Sequence, residues 1–125
     1  MANEITEITS WAFTDEAPIP DDIGPLLVEG ERAVVAYKTF RDSAVFTDRR
    51  LIVRDAQGIR GKKIEVYSLP YSSIFMWSSE NAGMLDLTTE LELWTRIGRI
   101  KIKLARTIDP QRLDRLISDA VLGSL

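Results

Sequence analysis

Glu90-Leu91-Glu92-Leu93-Trp94-Thr95-Arg96-Ile97-Gly98-Arg99-Ile100-Lys101-Ile102-Lys103-Leu104 is the stretch that decides the fold class. Leu91 and Leu93 alternate with Glu90 and Glu92, and Leu85, Leu87 and Asp86 extend the same alternation upstream. Beyond Arg96-Ile97-Gly98, Ile100, Ile102 and Leu104 alternate with Arg99, Lys101 and Lys103. A period of two is the signature of a strand with one buried face. Pairing Leu93 with Ile100 sets Glu92 opposite Lys101, Glu90 opposite Lys103 and Trp94 opposite Arg99. A one-residue slip would turn every leucine to solvent, so the pattern predicts this hairpin register and no other.

Working outward, the segment before the hairpin also reads as strand. Ala33–Phe40 is almost wholly apolar and partly β-branched, as a strand buried on both faces would be. Ala44–Thr47, Arg50–Arg54 and Ile74–Trp77 are short apolar runs. Lys63–Tyr67 alternates, with Ile64 and Val66 on one face and Lys63, Glu65 and Tyr67 on the other. After the hairpin, Asp109 is placed as an N-cap with Pro110 at the first helical position. Leu113, Leu116, Ile117, Ala120 and Val121 then follow helical spacing, and Gly123 supplies the stop. The reading is seven antiparallel strands, as a barrel or sandwich, capped by one C-terminal helix.

The opening of the chain is different in kind. Ile5, Ile8 and Ala12 stand at helical spacing beside Trp11, which predicts a short helix over Glu4–Ala12. Pro18, Pro20 and Gly24-Pro25 forbid its continuation. Residues 1–26 are therefore expected to form an acidic arm, and residues 27–125 the domain. Glu4, Glu7, Asp15, Glu16, Asp21, Asp22, Glu29 and Glu31 give the first 31 residues a charge of -8, with no base among them. Nineteen acids less these eight leaves eleven against sixteen bases, so the remainder carries +5. The arm is expected either to be solvated or to dock on a basic neighbour.

Composition excludes several kinds of chemistry. With 125 residues, 45% hydrophobic and 28% charged, the chain fits one globular domain. Cysteine and histidine are both absent. Disulfides, thiolate metal sites, histidine metal sites and Ser-His-Asp or Cys-His catalysis are therefore impossible. A net charge of -3 argues against nucleic-acid binding. No run approaches the roughly 20 apolar residues of a membrane-spanning helix. The first residues lack the basic start and apolar core of a signal peptide, so a cytoplasmic protein is expected.

Four blocks carry a resemblance. Arg41-Asp42-Ser43-Ala44-Val45-Phe46-Thr47-Asp48-Arg49-Arg50-Leu51-Ile52 comes first, followed by Gln57-Gly58-Ile59-Arg60-Gly61-Lys62-Lys63. Ser68-Leu69-Pro70-Tyr71-Ser72-Ser73-Ile74 and Glu80-Asn81-Ala82-Gly83-Met84-Leu85-Asp86-Leu87, with Glu90-Leu91, complete the set. In this order they resemble the bacterial pleckstrin-homology-like family in its single-domain form. The resemblance implies a PH-like fold, no catalysis, no cofactor and no metal. It also implies a closed cyclic homo-oligomer of five subunits with a hydrophilic surface for protein partners. On that basis Arg41, Asp42, Arg49, Lys62, Lys63, Glu80 and Asp86 are candidate interaction residues. Phe75 and Trp77, expected on the same side of a short strand, are candidates for the subunit interface.

Each signal has a plainer use. Gly58–Lys63 lacks the spacing and the Ser or Thr of a phosphate loop and reads as a hairpin turn. Eukaryotic PH domains that hold phosphoinositides carry a basic cluster near the first hairpin. Here Lys38 and Arg41 remain and Asp42 opposes them. The rival to a protein-binding ring is a peripheral binder of anionic lipid or another anion through the turn at Arg60–Lys63.

Overall fold

A computed structural model describes residues 10–57, 63–80 and 88–123. Eight strands run β1 (Ser10–Ala17), β2 (Ala33–Thr39), β3 (Asp42–Thr47), β4 (Arg50–Gln57), β5 (Lys63–Pro70), β6 (Ile74–Ser79), β7 (Thr88–Thr95) and β8 (Gly98–Ala105), followed by helix α1 (Pro110–Leu122). They form one curled sheet in the order β5-β4-β3-β2-β1-β8-β7-β6, with β5 and β6 at its edges. The fold is PH-like and mainly β, with a C-terminal helix.

The β7–β8 hairpin takes the register set by its alternation: Leu93 pairs with Ile100, Glu92 with Lys101, Glu90 with Lys103 and Trp94 with Arg99. Leu91, Leu93, Ile100, Ile102 and Leu104 are all buried on the inner face. Gly98 closes the turn at φ 139°, a value only glycine adopts without strain. In α1, the Asp109 carboxylate accepts from the Gln111 N–H at 3.0 Å, which satisfies one free amide of the first turn. Leu113 and Ile117 are fully buried, and Leu116, Ala120 and Val121 pack beside them against the core. The helix lies against β6, β7 and the 3-10 turn Tyr71–Ser73.

The opening segment corrects the expected helix. Ser10–Ala17 is a strand, antiparallel to β2 and parallel to β8, so among the described residues the sheet has eight strands and one parallel pairing. The rest of the expected helix, with Ile5 and Ile8, lies outside the described residues. Phe13 is the deciding contact. Its ring stacks on Tyr37 at 5.7 Å and meets Phe46 edge-on at 6.0 Å, and it is buried in the main core. Burying one aromatic between two others outweighs a few tenths of a kilocalorie per residue of helix propensity.

The proline-rich stretch that follows is also part of the packed body. Residues 18–32 cross the outer face of β2–β4, where Ile23 is buried against Ala36, Val45 and Ile52, with Leu27 beside them. That cover buries Ala36 on the outer face of β2, the strand read as buried on both faces, although Val34 and Phe40 stay exposed. Three of the six described acids in residues 10–31 dock on bases of the same chain. Asp22 meets Arg54 at 2.9 Å, Glu16 meets Arg112 at 2.8 Å and Glu31 meets Arg50 at 2.9 Å.

Candidate functional site

The strands give the β2–β5 region two ends. The β3–β4 turn, with Asp48 and Arg49, lies at the end that α1 covers; Val34 and Asp48 line a groove there with Arg112, Leu116 and Ala120. The β2–β3 turn, Phe40-Arg41, lies at the other end, which is open. The start of β5 at Lys63 lies at this open end too, because Gln57 pairs with Lys63 and Asp42 with Asp55.

The covered end is built on Glu31. Its carboxylate accepts from Thr47 Oγ1 at 2.7 Å, Arg50 Nε at 2.9 Å, Arg50 Nη2 at 3.0 Å and the Val28 N–H at 3.0 Å. Arg50 also donates to Ser68 Oγ and to the Leu26 carbonyl. Burial by itself would raise the Glu31 pKa. The hydrogen bonds from Arg50, Thr47 and Val28, with the Arg50 charge, overcome this and hold it at about 2. Nearby, the Tyr71 hydroxyl donates to the Thr47 carbonyl at 2.7 Å, and burial pushes its phenol well above the ordinary tyrosine range. Every one of these groups is answered from within the chain, so this is a fold-fixing cluster.

The open end contains a cavity of about 340 Å³, lined by Trp11, Phe40, Arg41, Arg54, Asp55 and Tyr67 among others. Trp11 and Tyr67 meet at 5.9 Å with their planes tilted by 52°. Phe40 is 93% exposed at the tip of the β2–β3 turn. Asp55 Oδ1 is buried and accepts no hydrogen bond among the described residues; its nearest cation is the exposed Arg41 guanidinium at 3.7 Å. Arg54 is committed elsewhere, to Asp22 at 2.9 Å and Ser43 at 3.2 Å, with Asp42 at 3.8 Å.

The residues singled out from sequence do not form one patch. Arg41, Asp42 and Lys63 share the open end, whereas Arg49 sits at the covered end, where its N–H donates to Thr47 Oγ1. Glu80 is exposed past the end of β6, and its N–H donates to the Glu90 carbonyl at 3.1 Å. Lys62 and Asp86 lie outside the described residues, as does the rest of the Arg60–Lys62 turn. Phe75 and Trp77 are not on the same side of β6. The register shifts between Ile74 and Met76, so Trp77 turns inward to pack on the core while Phe75 stays exposed with Arg96 at 5.6 Å over its ring.

Sequence reading missed Trp11, Phe40, Asp55 and Tyr67 as a group. They come from four separate strands and turns, and only the register joins them. The signal that was available is Phe40, a large apolar residue at a hairpin tip beside a charged pair.

Comparison with known proteins places the chain. The family description "Bacterial PH domain" matches it over residues 4–121. The chain belongs to the bacterial PH domain family. Among curated relatives, the uncharacterized protein YjqA of Bacillus subtilis (strain 168) is 49% identical over 78 residues, covering 62% of this chain and 62% of YjqA. The chain thus spans less than two thirds of that relative's length. The uncharacterized protein YozO of the same organism is 36% identical over 93 residues, covering 74% of this chain and 81% of YozO. Two solved structures are similar over most of their length. One is a DUF1696 family protein with a pleckstrin-homology domain from Shewanella loihica PV-4, at 32% identity and TM-score 0.75, covering 84% of this chain and 94% of that one. The other is a pleckstrin homology domain from Shewanella amazonensis SB2B, at 35% identity and TM-score 0.66, covering 86% and 93%. Among the described residues of this bacterial PH domain, no helix is long and apolar enough to cross a membrane.

Proposed function

We propose that this bacterial PH domain is a non-catalytic cytoplasmic interaction module that closes into a ring of identical subunits, five in number, and offers its polar open end to protein partners. The observation that carries the reading is the pair of sheet edges. Among the described residues, β5 and β6 each lack a neighbour on one side, and both carry exposed apolar side chains: Ile64 (54%) and Val66 (44%) on β5, Phe75 (61%) and Met76 (51%) on β6. Exposed strand edges of this kind invite pairing with another chain. The two edges differ, so a contact between β5 of one subunit and β6 of the next is heterologous and must either close into a ring or grow into a filament. The absence of histidine and cysteine supports a binding role over a catalytic one.

Native mass spectrometry of the intact chain tests this. A single closed species of five chain masses is expected at micromolar concentration. Phe75→Glu with Met76→Glu should shift it to monomer without unfolding it, because both side chains are exposed. A strictly monomeric wild type would overturn the reading.

A further inference from the structure

We propose that the open-end cavity is a binding site for an alkylammonium cation, recognised by Asp55 together with the aromatic rings of Trp11, Tyr67 and Phe40. The register is the first reason. Asp42 pairs with Asp55 across β3–β4, and Asp55 pairs with Glu65 across β4–β5, with no register shift in either ladder. The three carboxylates therefore stand in a row across adjacent strands. They share the face of Ala44, Val53 and Tyr67, the first two of which are buried in the main core. Like charges directly opposite one another destabilise a sheet, so the row stands at a cost that a bound cation would relieve.

The second reason is what answers the row. Tyr67 donates to Glu65 at 2.8 Å and Arg54 approaches Asp42 at 3.8 Å, but among the described residues Asp55 Oδ1 has no hydrogen-bond donor. Arg41 stands off it at 3.7 Å on an exposed side chain. The third reason is the wall. Trp11, Tyr67 and Phe40 line the same cavity, and aromatic faces attract cations, quaternary ammonium groups above all. At about 340 Å³ the space is at the small end of the roughly 300–1,000 Å³ usual for small-molecule sites. The carboxylates do not converge as metal ligands: among the described residues, no group of three or more acidic side chains could hold a metal ion. The site therefore favours a bulky, weakly hydrated organic cation over a divalent ion. On this reading Arg41 is an internal competitor that occupies the carboxylate until a ligand displaces it.

The test uses choline chloride as the probe, with the full-length chain and indole N–H chemical shifts as the readout. A saturable shift confined to one of the three indoles, that of Trp11, is expected, with no such response to sodium chloride at equal ionic strength. Asp55→Asn should weaken it at least tenfold, and Arg41→Ala should tighten it several-fold by removing the competitor. Phe40→Ala, at a side chain too exposed to matter for folding, should weaken it about threefold and serves if Asp55→Asn does not fold. No saturable shift, an equal response to calcium chloride or sodium phosphate, or unchanged binding in the Asp55 and Phe40 variants would overturn the proposal. The oligomer mass is a separate readout, so failure of the ring and failure of this site are told apart.

Discussion

At the covered end of the sheet, the buried Glu31 carboxylate takes four hydrogen bonds and faces an arginine at 2.9 Å. At the open end, Asp55 has a buried oxygen with none among the described residues and an arginine that stands away at 3.7 Å. Asp55 lies in β4 and Glu31 is bonded to residues of β3 and β4, and both acids lie near an arginine, yet they do different jobs. A buried charge that is fully hydrogen-bonded specifies and holds a structure. A buried polar atom left without a partner weakens the fold and is therefore the place to look for a ligand. The lesson is that satisfaction of the polar groups, more than their charge or their conspicuousness in sequence, separates the two ends.

The contrast can be broken first at the apolar core beneath the covered end. Leu113→Ala should destabilise the chain by about 2–5 kcal/mol, since the side chain is fully buried and its loss leaves a cavity. Urea denaturation measures this. An effect of a few tenths of a kilocalorie would mean that α1 does not close the sheet.

Glu31→Gln comes next and sharpens the polar half of the comparison. It should cost about 2–3 kcal/mol at neutral pH by removing charge-assisted hydrogen bonds and leaving Arg50 unanswered. The folded-state pKa of Glu31 lies near 2, below its ordinary value of 4.5. Its contribution is therefore present in full above pH 4.5 and is lost as pH falls through about 2. Denaturation curves of wild type and variant should differ most above pH 5 and converge between about pH 4.5 and 2. A difference independent of pH would assign the effect to packing rather than charge.

What the sequence made legible follows from how local the cause is. The β7–β8 register was readable because Leu91, Leu93, Ile100 and Ile102 alternate with opposite charges on neighbouring strands. The C-terminal helix was readable because Asp109, Pro110 and the apolar stripe lie within a few turns. The first strand was not, because the pocket that claims Phe13 is made by Tyr37 and Phe46, more than twenty residues away. Helical spacing at Ile5, Ile8 and Ala12 gave a competing local signal. On β5 the alternation was right, but Ile64 and Val66 point outward, since Tyr67 and Leu69 supply the inner face of this edge strand. The role of β6 was misread because a register shift inside it parts Phe75 from Trp77. The open-end cavity depends on three ladders at once, so of the candidate residues only Arg41, Asp42 and Lys63 fell at this end.

The division between a fold-holding end and a binding end is tested most directly by thermal denaturation of Asp55→Asn beside Glu31→Gln at neutral pH. Asp55→Asn should leave the melting temperature unchanged or slightly raised, because it removes one charge from a row of three carboxylates, while Glu31→Gln lowers it clearly. If Asp55→Asn lowers it as much as Glu31→Gln does, the open-end carboxylate is part of the fold's own support and the contrast between the two ends is wrong.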